Sequence, residues 1–265
     1  MTSIVAAWTS LAEKLGSAGT EIFRTAEVLI SNKGFSDEKV LGLTLLARSV
    51  SNLKGALLLL RAKRIVEART ITRCCLENFY WTAALVEQGD KFVRQMLHDE
   101  MSHRKARGQS IFQNDIELDA AIEGRLRDWL RDANKRFAGA KTLNPKDVAS
   151  VRADFAKTYI FYSQLSSDAA HPSVDSLNRY VVPDTETDVG GIDVEPVVKD
   201  SEIAETLEYL CMAFIGVCIG VNQMLGGTRG GNALPALADE YTTLSNRTKA
   251  DKSEGTVAAE LPEAS

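Results

Sequence analysis

Apolar residues recur at spacings of three and four along most of this chain. The clearest run is Leu43, Leu46, Val50, Leu53, Leu57 and Leu60, with gaps of 3, 4, 3, 4 and 3. That is the a/d seam of a helix packed into a bundle. Ile4, Val5, Trp8, Leu11, Leu15, Ile22, Phe23 and Ala26 predict an earlier helix over the first 33 residues, bent or broken at Gly16 and Gly19. Gly34 stops it, and Ser36 is the expected N-cap of the seam helix. A third helix is predicted over 65–88, with Ile65, Ala68, Cys75, Leu76, Phe79 and Ala83 on its apolar side. Gly89-Asp90 breaks the chain before a fourth helix, which ends near 107. A fifth spans 116–137, and a sixth starts at Asn144-Pro145 and runs to Pro172. A seventh covers 201–225.

Between the sixth and seventh helices the pattern changes. The segments 179–182 and 192–195 have β-type composition around Gly190-Gly191, with Pro183 and Pro196 limiting any strand to a short edge. The expected fold is therefore all-α: a bundle of about seven helices with a small β-hairpin near 179–198. One domain is expected over 1–232. A short helix near 236–244 and a polar, disordered tail are expected to fill 233–265.

Composition adds little to the fold but excludes several functions. The chain has 265 residues, 45% hydrophobic and 25% charged, with a formal net charge of −5. That balance argues against a dedicated DNA-binding domain. The N-terminus has no charged, apolar and cleavage regions of a signal peptide. The uncharged run 209–221 spans roughly 20 Å as a helix, short of the roughly 30 Å of a hydrocarbon core. Gly216 and Gly220 within it signal close helix packing. Cys74, Cys75, Cys211 and Cys218 lack zinc-ligand spacing, and free thiols fit a reducing cytosol. A cytoplasmic protein without membrane contact is expected, with no cofactor and no metal. A homo-oligomer is compatible with the sequence.

Charge is uneven along the chain. Residues 48–73 carry seven basic groups and one acidic, a local +6, and residues 175–208 carry ten acidic groups and two basic, a local −8. Either the basic segment meets an anionic partner, or the two segments attract each other or face solvent.

Candidate chemistry concentrates in two places. Arg69, Arg73 and Glu77 form a charged stripe at spacing four on an otherwise apolar helix. Tyr159-Ile-Phe-Tyr-Ser-Gln-Leu-Ser-Ser-Asp-Ala-Ala-His-Pro-Ser173 gathers hydroxyls, an acid and a histidine on another, with Ser163, Ser167 and His171 on one stripe. Burying either alone is expensive, so the two are expected to meet in one polar pocket. Arg73, Glu77 and His171 are the candidate catalytic groups: an arginine for an anion, and a histidine or carboxylate to move a proton. Arg69, Tyr162, Ser166 and Ser167 are candidate binding residues, with Arg69 at the solvent edge. Asp168 is placed to cap or orient His171. The bland counterpart is a polar network that sets helix register. No nucleophile elbow, P-loop, dinucleotide fingerprint or His-Glu-x-x-His is present. Glu100-Met-Ser-His103 has the spacing of a di-iron bundle ligand pair but lacks the second copy that such a site needs.

Arg73-Cys-Cys-Leu-Glu77 followed by Tyr162-Ser-Gln-Leu-Ser-Ser-Asp-Ala-Ala-His-Pro-Ser173 resembles the bacterial domain-of-unknown-function family numbered 5677, over about residues 40–225. The resemblance implies an all-helical fold, with Ser166 or Ser167 as the matching serine. Its layout is similar to the HEPN superfamily, which includes metal-independent RNases of toxin and phage-defence systems. Those enzymes use an arginine followed by four to six residues and then a histidine. None of His98, His103 and His171 has an arginine five to seven positions upstream. A ligand- or partner-binding module therefore stands ahead of an RNase or nucleotide-processing enzyme. The partner is a small anionic ligand, RNA or a protein.

Overall fold

A computed structural model describes residues 3–182 and 190–259. The helices are α1 (Ser3–Thr25), α2 (Glu38–Arg61), α3 (Ile65–Gln88), α4 (Asp90–Gln113), α5 (Ala120–Arg136), α6 (Pro145–Ala149), α7 (Ala153–Ala156), α8 (Tyr159–Leu165), α9 (Val174–Asn178), α10 (Asp200–Met224) and α11 (Leu234–Ala259). Strands β1 (Val181–Val182) and β2 (Gly191–Ile192) pair antiparallel, Val181 opposite Ile192. The all-α bundle and its small hairpin are as expected. The strands are shorter than expected, and Pro183 lies outside the described residues.

The core forms where α10 packs between α3 and α1, with α2 closing the group. Leu207, Leu210, Cys211, Phe214, Val217 and Val221 of α10 are buried against Trp8, Leu11 and Leu15 of α1 and Leu76 and Phe79 of α3. The seam of α2 buries Leu46, Leu53, Leu57 and Leu60, while Leu43 and Val50 sit half-buried at the core margin. Two glycine features set the helix approach. A Cβ on Gly216 would fall 2.3 Å from the Phe79 ring, and one on Gly220 would fall 2.7 Å from Thr82. These residues let α10 lie directly on α3, as the pair's spacing predicts. Gly19 does the same for α1, which runs through Gly16 and Gly19 unbroken and ends at Thr25. A Cβ there would meet the Phe214 ring at 2.7 Å, so the glycine serves packing and not a break.

Other elements differ from expectation for local reasons. Asp37, not Ser36, caps α2: its carboxylate accepts the Lys39 and Val40 amides at 2.9 and 3.4 Å, while Ser36 closes a short 3-10 turn. The single helix expected over 145–172 is divided into α6, α7, α8 and a π-helical turn at Ser166–Ala170, so the bundle has more helices than the seven expected. Arg152 adopts an extended conformation. Ser150 and Thr158 donate their hydroxyls to the carbonyls of Lys146 and Phe155 at 2.8 and 2.7 Å beside the breaks. The helix expected near 236–244 is part of the longer α11. It packs on α1 and α10, and Trp8 Nε1 donates to Thr248 Oγ1 at 3.1 Å. Residues 260–265 of the expected tail lie outside the described residues.

The two oppositely charged segments do attract each other. Arg64 pairs with Glu195, and Arg69 with Glu205, each at 2.9 Å.

Candidate functional site

Arg73 and Glu77 lie one turn apart on α3, and α8 crosses that face. Arg73 Nε donates to Ser166 Oγ at 2.8 Å, and its terminal nitrogen donates to the Tyr162 hydroxyl. The same hydroxyl donates to Glu77 Oε1 at 2.8 Å, and Ser166 Oγ donates to the Tyr162 carbonyl at 2.8 Å. The Arg73 guanidinium also stands 4.6 Å from the Tyr162 ring centroid and 3.3 Å from Glu77. This relay joins residues about ninety positions apart, as the cost of burying each stripe alone requires. Burial comes first among the effects that push the Tyr162 pKa well above its ordinary value. The hydrogen bond and charge of Glu77 add to it, and Arg73 acts the other way. Tyr162 therefore stays a neutral donor between a cation and an anion.

Arg69 departs from expectation. It is not at a solvent edge but only 5% exposed. Its guanidinium donates to Asp168, to Glu205 Oε2 at 2.9 Å and to Thr206 Oγ1 at 3.2 Å. Arg179 donates to the other oxygen of Asp168 at 2.6 Å and lies 3.5 Å from Glu202. Two arginines thus share three partly buried carboxylates, with Arg69 the most buried member. A buried guanidinium is tolerated only when it is so paired. Sequence reasoning missed Arg179, Glu202, Glu205 and Thr206. The signal available was the acidic excess of 175–208.

The π turn feeds both clusters. His171 N donates to Ser166 O across five residues at 3.1 Å, and the widened turn presents Ser166 to Arg73 and Asp168 to Arg69. The Ser163, Ser167 and His171 stripe is exposed, and the neighbouring register, Tyr162 and Ser166, meets α3. Ser166, not Ser167, is the serine on the arginine. Ser167 contributes its carbonyl to Ser173 at 2.8 Å. The His171 backbone is extended before Pro172, and its ring makes no hydrogen bond or ion pair among the described residues. Asp168, expected to orient it, is engaged by two arginines.

Glu77 also borders a cavity of about 370 Å³ between α2, α3 and α4. Nearby Cys74 is an unpromising nucleophile, because burial, followed by the Glu77 charge, raises its pKa. Glu100, considered above with His103, is an exposed partner of Arg104 at 2.6 Å. A larger groove, about 710 Å³, runs between α1 and α2 but brings none of the predicted site residues together.

The fold and this relay define a helical bundle carrying an Arg–Tyr–Glu network between its third helix and a later one. The model of a family of unknown function, DUF5677, matches residues 39–188, more than half of the chain, and the protein belongs to that family. The match covers Arg69, Arg73, Glu77, Tyr162, Ser166 and His171 and stops before α10, short of the expected 225. No curated protein and no solved structure matches the chain.

Proposed function

We propose that the protein is a cytoplasmic bacterial ligand-binding module whose site is built on Arg73, Glu77, Tyr162 and Ser166. The observation that carries this reading is the Tyr162 hydroxyl, which accepts from Arg73 and donates to Glu77 while that glutamate borders a cavity. The relay fixes the rotamers of its members in advance, which lowers the ordering cost of binding. The raised pKa of Tyr162 keeps its hydroxyl protonated and makes it a poor proton donor to a substrate, and His171 stands outside the relay. Both features favour binding over proton transfer. The four free cysteines support a reducing compartment.

The second reading is a HEPN-like, metal-independent RNase or nucleotide-processing enzyme in stress or phage defence. It draws on Arg73 and Glu77 with His171 as the proton carrier. Incubating the pure protein with RNA and with nucleotides, with and without chelator, separates the two. The module predicts no turnover under either condition. Turnover that disappears in a folded His171→Ala variant overturns it.

A further inference from the structure

The cavity beside Glu77 is unevenly finished. Leu41, Leu45, Trp81, Val93 and Met96 supply apolar walls, and Phe35, 66% exposed on the turn before α2, stands at its border. Four charged side chains line it, and three of them are already answered. Glu77 takes Tyr162 and Arg73. Asp99 accepts the Leu143 amide at 2.7 Å and lies 3.4 Å from His103. Glu100 pairs with Arg104. Arg48 is exposed, and it is the one charged group of the lining without an ion pair among the described residues, set beside three carboxylates and an apolar, aromatic-bordered wall.

We propose that this cavity binds a small amphipathic carboxylate, its anionic end on Arg48 and its apolar body against Trp81 and Phe35. The inference rests on the binding-module reading above and names its ligand class. A guanidinium fork matches a carboxylate with two parallel hydrogen bonds. A monoanion balances the single free cation, whereas a phosphate dianion would bring excess negative charge toward Glu77, Asp99 and Glu100. About 370 Å³ lies at the small end of the usual range for ligand pockets, which suits one ring or a short branched chain and not a nucleotide. Glu77 Oε2 carries no hydrogen bond among the described residues, so a donor on the ligand body has an acceptor waiting beside the relay.

Isothermal titration calorimetry of the full chain with phenylpropionate, phenyl phosphate and phenethylamine tests the proposal. Phenylpropionate binds, phenyl phosphate binds more weakly, and phenethylamine does not bind. Arg48→Gln weakens phenylpropionate by about tenfold or more, the loss expected for a charge-assisted contact. Arg24→Gln, at an exposed arginine at the end of α1, leaves it unchanged. Absence of phenylpropionate binding, tighter binding of the amine or of the phosphate, or indifference to Arg48→Gln overturns the proposal. The RNA and nucleotide assay on the same preparation keeps the two failures apart. No carboxylate binding without turnover removes only the ligand class, and His171-dependent turnover removes the module itself.

Discussion

Arg69 and Arg73 sit one turn apart on the same face of α3, yet they belong to different environments. Arg69 is almost wholly buried among Asp168, Glu202 and Glu205, with Thr206 completing its hydrogen bonds. The Arg73 side chain is 23% exposed and reaches solvent beside a tyrosine, a serine and one glutamate that also borders a cavity. The deeper cluster draws its acids from the π turn and α10, so it fixes how two distant segments sit on α3. The shallower one ties α3 only to α8 and the π turn, and a ligand can still reach it. One stripe of charge on one helix thus divides into an anchor and a site.

The comparison breaks most readily at the anchor. Arg69→Ala leaves three carboxylates clustered around one arginine, and we expect a loss of about 3–5 kcal/mol in urea unfolding. A loss below about 1 kcal/mol would mean that water replaces the guanidinium and that the burial contrast is false.

Tyr162→Phe is expected to be milder, about 1–3 kcal/mol, because it strips Glu77 of a donor and Arg73 of an acceptor. Its alkaline behaviour sharpens the point. The Tyr162 pKa is raised in the fold above the ordinary 10.0. The unfolded chain therefore loses that proton first, and the contribution is complete below pH 10 and falls away as pH rises beyond it. Tyr80, buried and pushed up to about 12, acts with the same sign. Urea midpoints measured upward from neutral pH should fall beyond pH 10 in the wild type and less steeply in Tyr162→Phe. Equal slopes would show that the relay hydroxyl is not protected.

The smallest effect belongs to His171→Ala, expected within about 0.5 kcal/mol because its exposed ring supports neither cluster. A larger loss in thermal unfolding would place the histidine inside the anchor and redraw the boundary between the two regions.

The sequence carried these features unequally. Leu46, Leu53 and Leu57 were legible because a seam with period near 3.5 has few other uses. The meeting of Arg73 and Glu77 with Tyr162 was legible because paired burial costs point to one another. The placement of Arg69 was not. Spacing puts positions 69, 73 and 77 on one stripe, but depth along that stripe depends on Asp168, Glu202 and Glu205, which lie about a hundred residues or more away. The serine stripe failed for a related reason. Positions 163, 167 and 171 share a face of a regular helix, but the chain leaves α-helical geometry at Ser166 and ends its helical run before Pro172. Tyr162 and Ser166 are four apart just as Ser163 and Ser167 are, so period alone does not choose between the two adjacent registers. The break at Arg152, whose backbone is extended, is likewise one that apolar spacing does not record.

The π turn at Ser166–Ala170 amounts to a change of phase in the chain. An α-helix advances about 100° per residue, and a turn closed across five residues delays that advance. The delay is what allows Ser166 and Asp168, only two positions apart, to serve Arg73 and Arg69 on a neighbouring helix. Length is therefore as strictly specified here as residue identity. Removing one alanine from the turn would restore an ordinary period, rotate everything before it relative to Pro172, and leave the chemistry intact in composition but out of step with the arginines it must meet.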